Sequence, residues 1–206
     1  PLDTASLEPR ALDEEIDFIL DQAGQYLTKK PARKDILSVF AGLRPLAAPQ
    51  HDDAKKTKEI SRNHKIYTSP SGLLTITGGK WTTYREMAED AVNLAIGIGG
   101  LESRPCMTKT LRLHGYSETV DRSRWDYVYG SDADKIKEIE KENPENSRLL
   151  HPEYTFTAAH VIWAVRGEFA VSVEDVLARR VRALFIDARA AVEMAPKAAS
   201  VMAGEL

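Results

Sequence analysis

The pattern of hydrophobic residues changes near Gly100, and this change constrains the fold more than any other feature of the sequence. Before it, short strand-like segments stand beside helical patterns. After it, apolar residues recur mainly at helical spacing almost to the last residue. We therefore predict an α+β fold with two domains: a strand and helix domain over residues 1–100, and an all-α domain over residues 101–206.

The first region contains two amphipathic helices and three candidate strands. Apolar residues at helical spacing between acidic ones predict a helix from Asp13 to Leu27. The apolar segment "ILSVFAGLRPL", 36–46, predicts a buried strand closed by a turn. In "HKIYTSPSGLLTITGG" we predict short strands over 65–68 and 73–77, joined by a turn. A second helix is predicted from Thr82 to Ile96.

The second region is predicted to begin with a linker, "LESRPCMTKTLRLHGY", that contains one short extended piece, and to be mainly helical beyond it. The segments "DADKIKEIEKEN", "FTAAHVIWAVRGEF" and "SVEDVLARRVRALFI" each carry a helical pattern, and Ser172 opens the third. Asp187 can cap the helix that follows, and Pro196 suits the first turn of a last helix. Arg180 falls within an apolar stripe, so we predict that it pairs with an acid of a neighbouring helix. His160 lies on an apolar helix and is predicted to be a core residue.

Composition excludes several classes of function. The 28 Lys and Arg residues are balanced by 31 Asp and Glu, so a formal charge of -3 gives no general attraction to nucleic acid or to an anionic membrane. The single Cys106 excludes an internal disulfide and a cysteine-based metal site. The opening "PLDTASLEPRALDEE", without an initiator methionine, indicates a piece of a longer protein.

A strand enters a helix through Gly78 and Gly79, followed by Lys80. Such a turn presents bare backbone N–H groups and the positive end of a helix dipole, which favour an anion or a carbonyl edge. Lys80 adds a full charge, and Thr82 and Thr83 can cap the helix or donate hydrogen bonds. The Walker A spacing is not met, since Trp81 follows the lysine. From these features alone, a purely structural turn with a solvated lysine remains open.

Two arginines extend this cationic pattern. Arg44 ends the predicted apolar strand between Leu43 and Pro45, where an unpaired charge is costly, and Arg62 precedes the next strand. Together with Lys80 they place three cations at strand ends, which suits a phosphorylated or carboxylated substrate. The alternative for each is an internal salt bridge.

Three segments in this order resemble one family: "FAGLRPLAAP", "SRNHKIYTSPSGLLTITGGKWTTYREMAEDAV" and "SVEDVLARRVRALFIDARAAVEMAP". They are similar to the C-terminal part of the FAD-dependent, quinone-linked glycerol-3-phosphate dehydrogenases. The resemblance implies that the full-length protein oxidises sn-glycerol 3-phosphate to dihydroxyacetone phosphate and passes electrons to quinone. It implies a cytoplasmic protein peripheral to the inner membrane, with no nucleic-acid partner.

The resemblance also implies roles for individual residues. The residues implied to bind substrate are Arg44, Arg62 and Lys80. Those implied to border the pyrimidine end of the flavin of FAD are Gly78, Gly79, Lys80, Trp81, Thr82 and Thr83. The family's catalytic base, a histidine, belongs to an N-terminal half that this sequence lacks, so none of His51, His64, His114, His151 and His160 is assigned that role, and no metal site is predicted. The chain alone is expected to be inactive and to carry no FAD.

Two other functions remain as alternatives. A non-enzymatic helical interaction module would not depend on Lys80. A phosphate-ligand binding domain would bind glycerol 3-phosphate without flavin.

Overall fold

The computed structural model describes residues 5–43, 63–123 and 125–206, which are mostly helical with one two-stranded sheet. In chain order the helices and strands are α1 (Asp13–Gly24), β1 (Lys65–Thr68), β2 (Leu74–Thr77), α2 (Tyr84–Gly99), α3 (Ala133–Glu142), α4 (Ala158–Glu168), α5 (Ala183–Ile186) and α6 (Ala188–Ala203). A π-helical segment, Asp175–Arg180, precedes α5. Short 3-10 turns are formed by Arg33–Asp35, Trp81–Thr83, Trp125–Asp132 and Pro144–Ser147.

Backbone contacts group the chain into two compact units. The strand-helix unit comprises Pro1–Pro9 and Gly42–Arg112, and the helical unit comprises Arg10–Ala41 and Leu113–Leu206. The domain bounds 1–100 and 101–206 stay a prediction. In the described part of the chain, no helix has the length and apolar character needed to cross a membrane.

The core of the helical unit is built mainly by α4 and α6. Both helices present small and aliphatic residues that are nearly inaccessible to solvent, among them Val161, Ala164, Met194 and Ala198. Helix α3 buries Ala133, Ile136 and Ile139 on one face, as its charged amphipathic pattern predicts. The helix positions predicted for α3 and α4 are therefore confirmed.

Side-chain caps and one ion pair fix the helix ends as the sequence predicts. Ser172 and Asp175 exchange hydrogen bonds: the Ser172 N–H donates to Asp175 Oδ2 at 3.0 Å, and the Asp175 N–H donates to Ser172 Oγ at 3.1 Å. Asp187 Oδ1 accepts from the backbone N–H groups of the first turn of α6 at 3.0 and 3.1 Å. Arg180 pairs with Glu168 of α4, with Nε 3.0 Å from the Glu168 carbonyl oxygen.

Two helical predictions are wrong in detail. The segment after Ser172 is not one regular helix, because its π-helical turn ends at Arg180 and Arg182 adopts a left-handed conformation at φ 60°. Pro196 does not begin a helix but lies inside α6. Burial of Met194, Ala198 and Met202 on one face of α6 offsets the backbone hydrogen bond that the proline cannot make.

The predicted strand over 36–46 is also wrong for its described part, 36–43. These residues form no strand, and Val39 and Phe40 are largely exposed. The segment instead contacts α5 and α6: Ser38 Oγ donates to the Leu184 carbonyl at 2.7 Å, and the Phe40 ring meets Phe185 edge-on at 4.8 Å. Apolar composition predicted burial in a sheet, but no described strand pairs with these residues.

His160 is a core residue, as predicted, with 1% of its surface exposed. Its Nδ1 accepts a hydrogen bond from the Thr157 N–H at 3.0 Å, so the neutral ring carries its proton on Nε2. Burial lowers the pKa of His160 to about 4, from an ordinary value of 6.5.

This buried histidine makes stability depend on pH. The unfolded chain gains a proton at His160 near the ordinary pKa of histidine, whereas burial disfavours the charged ring in the folded protein. The contribution of His160 to stability is therefore fully present above pH 6.5 and is lost as the pH falls toward 4. We expect a loss of roughly 3 kcal/mol in the free energy of unfolding across that window. Urea unfolding at several pH values measures this loss. In His160→Gln, the free energy of unfolding should change less steeply with pH. An equal slope in the variant would contradict the assignment.

Candidate functional site

The candidate site lies in the strand-helix unit, where a β-hairpin leads into α2. Strands β1 and β2 pair antiparallel, with Lys65 opposite Thr77. A turn over 69–72 joins them, in which the Gly72 N–H donates to the Ser69 carbonyl at 2.9 Å. The hairpin was predicted from its β-branched residues and its Pro-Ser-Gly turn, and the structure confirms it. The hairpin therefore leads directly into residues 78–80, Gly-Gly-Lys, which we call the glycine-lysine turn.

Both glycines of the turn need the conformational freedom of glycine. Gly78 and Gly79 have φ of 77° and 80°, in the left-handed region. A Cβ at Gly79 would overlap the thioether of Met87 in α2 and lie 3.3 Å from His64 Cβ. One side of the turn is thus packed against α2 and the residue before β1.

Lys80 stands at the start of the 3-10 turn Trp81–Thr83, through which the chain enters α2. Its backbone is held by Thr83: the Thr83 hydroxyl donates to the Lys80 carbonyl at 3.0 Å, and the Lys80 N–H donates to the same hydroxyl oxygen at 3.3 Å. The Lys80 side chain is exposed, and within residues 63–123 no carboxylate pairs with it. The turn therefore offers an uncompensated positive charge on a fixed backbone.

The start of α2 differs slightly from the prediction. The helix begins at Tyr84 rather than Thr82, because the 3-10 turn comes first, and it ends at Gly99, with Gly100 as a left-handed C-cap. Thr83 makes the predicted local hydrogen bonds, whereas Thr82 is exposed. Trp81 is 86% exposed and stacks on Tyr84, with ring centroids 5.5 Å apart. A large flat side chain next to Lys80 is therefore open to solvent.

The structure does not test whether the other two predicted cations join this site. Arg44 and Arg62 lie outside the described residues. The convergence of Arg44, Arg62 and Lys80 therefore stays a prediction.

The described histidines have structural partners. His64 lies 2.9 Å from Asp90, His114 lies 2.6 Å from Asp132, and His151 lies 3.1 Å from Glu193. His51 lies outside the described residues. Among the residues that the structure describes, no group of His, Cys, Asp and Glu side chains could hold a metal ion.

Sequence reasoning missed the contacts between the glycine-lysine turn, His64 and α2. The 26-residue separation of His64 and Asp90 gives no local signal for their pairing. The contact between Gly79 and Met87 likewise depends on the path of the chain into α2. The i, i+4 spacing of Arg85 and Glu89 could have revealed their ion pair.

The pair Arg85 and Glu89 holds the segment that follows α2. Arg85 Nη1 donates to Thr108 Oγ1 at 3.3 Å and lies 4.0 Å from Cys106 Sγ. The hydrogen bond from Arg85 lowers the pKa of Glu89 below its ordinary value, so the pair stays ionised at neutral pH. This cluster attaches residues 106–108 to α2.

A polar cavity of about 500 Å³ lies in the helical unit. Asp126 and Lys137 are on its wall, 3.2 Å apart, and Asp126 is almost fully buried. The paired charges explain how a carboxylate is tolerated there. This arrangement contains no catalytic constellation.

Comparison with known proteins gives a consistent family. A family model described as the C-terminal domain of alpha-glycerophosphate oxidase matches residues 74–206. The mitochondrial glycerol-3-phosphate dehydrogenase of Arabidopsis thaliana is 36% identical over 96% of this chain and 36% of its own length. A probable mitochondrial glycerol-3-phosphate dehydrogenase of Caenorhabditis elegans is 36% identical over 98% of this chain, and the Homo sapiens enzyme is 35% identical over 96%. The chain spans about a third of the length of these relatives.

Proposed function

This chain belongs to the FAD-dependent glycerol-3-phosphate dehydrogenase family, and on that premise we propose that it supplies one wall of the active site of such an enzyme. The full-length protein oxidises sn-glycerol 3-phosphate to dihydroxyacetone phosphate and passes the electrons to quinone. The observation that carries the proposal is the glycine-lysine turn. Lys80 pairs with no carboxylate among the described residues of its unit, and the two residues before it are left-handed glycines.

The turn has the properties that a flavin edge requires. Gly78 and Gly79 are left-handed and carry no side chain of their own that would hinder close approach by a planar ring. The N-terminal turn of α2 and the Lys80 ammonium both favour negative charge. FAD, when bound, supplies the two-electron acceptor for the oxidation of a secondary alcohol. The residues proposed to border it are Gly78, Gly79, Lys80, Trp81, Thr82 and Thr83.

Lys80 is proposed to act on the substrate by charge. Its ammonium donates hydrogen bonds to an anionic substrate and holds it against the cofactor edge. Arg62 is proposed to contact the phosphate, and Arg44 to line the substrate pocket. The proton acceptor for the substrate hydroxyl is proposed to come from a part of the protein that this chain does not contain.

Exposed apolar residues support the view that the strand-helix unit packs against further protein. No residue of β1, β2 or α2 is buried. Several large apolar side chains of the unit are open to solvent, among them Leu73, Trp81, Val92, Ile98 and Leu101. We propose that these side chains form an interaction surface for further protein. We propose that the chain alone is inactive, and that peripheral contact with an inner membrane, if made, belongs to the full-length protein.

Anaerobic mixing of the full-length protein with sn-glycerol 3-phosphate tests the proposal. We expect co-purified FAD and loss of its visible absorption on addition of substrate, with no change on addition of glycerol, which lacks the phosphate. The 206-residue chain should bind neither ligand. A full-length protein without flavin would refute the proposal, and binding of glycerol 3-phosphate by the isolated chain would favour a phosphate-ligand binding domain.

A further inference from the structure

Two side chains on one face of α2 contact the glycine-lysine turn from behind. Met87 and Asp90 are three residues apart, so they lie on the same side of the helix. The Met87 thioether fills the space that a Gly79 Cβ would occupy, and Asp90 Oδ2 lies 2.9 Å from His64 Nε2. His64 in turn packs against Gly79 from the residue before β1. Gly79 is therefore enclosed between an α2 side chain and a residue that α2 holds by a hydrogen bond.

The hairpin register explains why these contacts determine the position of the turn. Because Lys65 pairs with Thr77, the register continued by one residue places His64 opposite Gly78. The ladder ends there, and the glycines that follow have no side chains of their own to pack. The location of residues 78–80 therefore depends on contacts made by other residues, namely His64, Met87 and Thr83.

Partial burial makes both contacts effective. The His64 side chain is 20% exposed, and Met87 is half-buried. The Asp90 side chain is 47% exposed, so its hydrogen bond with His64 is shielded from solvent mainly on the histidine side. An unbranched thioether adapts to an irregular gap, so it can fill the space beside a glycine without strain.

We propose that Met87 and Asp90 are positioning residues for Lys80: Met87 by direct packing on Gly79, and Asp90 by holding His64 against the same glycine. Neither residue contacts substrate or cofactor. Their effect on the reaction passes through the location of the Lys80 ammonium. This inference rests on the proposed function, because it requires that Lys80 bind the substrate.

A double-mutant cycle in the full-length enzyme tests the inference. Met87→Ala should lower kcat/KM for glycerol 3-phosphate by about tenfold, because misplacement of a binding group by a fraction of an ångström is costly. In a Lys80→Ala background the same change should cost less than about twofold, since contacting groups that act as a unit are non-additive. Met87→Leu, which conserves volume, should stay within about twofold of the wild type.

A matched control separates positioning from general stability. Val92 lies on the same helix, five residues beyond Met87, and is 56% exposed, so Val92→Ala should leave kcat/KM unchanged. Asp90→Ala, which removes the hydrogen-bond partner of His64, should lower kcat/KM in the same direction as Met87→Ala and should also lose its effect in the Lys80→Ala background. Additive effects in the cycle, or equal effects of Met87→Ala and Val92→Ala, would overturn the inference.

Hydrogen exchange on the 206-residue chain gives a readout that needs no cofactor. The Lys80 N–H, bonded to Thr83 Oγ1, should exchange about tenfold faster in Met87→Ala than in the wild type, because local opening becomes easier. Val92→Ala should leave this rate unchanged. Unchanged exchange in Met87→Ala would overturn the inference. If instead Lys80→Ala alone leaves activity intact, the proposed function fails, and the exchange result still decides whether Met87 holds the turn.

Discussion

Replacement of Lys80 by alanine in the full-length enzyme should lower kcat/KM for sn-glycerol 3-phosphate by about a hundredfold, while FAD stays bound. A charge-assisted hydrogen bond to an anion contributes roughly 1.5 to 3 kcal/mol, and 2.7 kcal/mol corresponds to a hundredfold change in rate. Among residues 63–123 no carboxylate pairs with Lys80, so no described ion pair accounts for this lysine. Steady-state kinetics and the flavin absorption spectrum measure the two expected results.

Arg44→Ala and Arg62→Ala should also lower kcat/KM for sn-glycerol 3-phosphate by about a hundredfold, since both cations are proposed to face the same substrate. Lys109 provides a matched control, because it is an exposed lysine of the strand-helix unit to which no role in the substrate site is assigned. Lys109→Ala should be neutral. Survival of full activity in all three site variants would mean that these cations are structural, and the assignment of the substrate site would be wrong.

The part of the site that could be predicted from the sequence is the part built from neighbouring residues. The hairpin, its turn at 69–72 and the entry from Gly78 into a helix each depend on local chemistry, namely β-branched residues and glycines. The capping of α6 by Asp187 and the pairing of Arg180 with an acid of α4 follow from similar local patterns. The family, inferred from three segments in order, is confirmed by the domain match and by the curated relatives.

The part that could not be predicted depends on which segments meet in space. The apolar residues of 36–43 suit a strand, yet they contact α5 and α6 because the described sheet offers them no partner strand. The left-handed Arg182 interrupts a segment whose apolar spacing is continuous. Met87 behind Gly79 and Asp90 beside His64 are likewise contacts between distant positions. Sequence spacing carries no information on any of these.

Gly130→Ala should destabilise the helical unit more than any other single methyl addition at its glycines. Gly130 has φ 53° and ψ -123°, a conformation that is accessible almost only to glycine. A Cβ there would overlap the carbonyl oxygen of Gly115 and lie 3.0 Å from its carbonyl carbon. Both are backbone atoms, and the same oxygen accepts a hydrogen bond from the Ser131 N–H at 3.1 Å. The clash therefore cannot be relieved by rotation of a side chain.

We expect Gly130→Ala to lower the free energy of unfolding by about 3 kcal/mol or more, because backbone strain and lost contacts act together. For a unit of this size, that loss corresponds to a fall of roughly 10 °C in Tm. Gly204→Ala is the matched control: Gly204 has φ -85°, and its added Cβ would make only an ordinary contact, 3.5 Å from the Val201 carbonyl oxygen. Thermal unfolding followed by circular dichroism compares the two. An equal Tm for Gly130→Ala and the wild type would contradict this prediction. It would mean that the backbone around Gly115 moves aside at little cost.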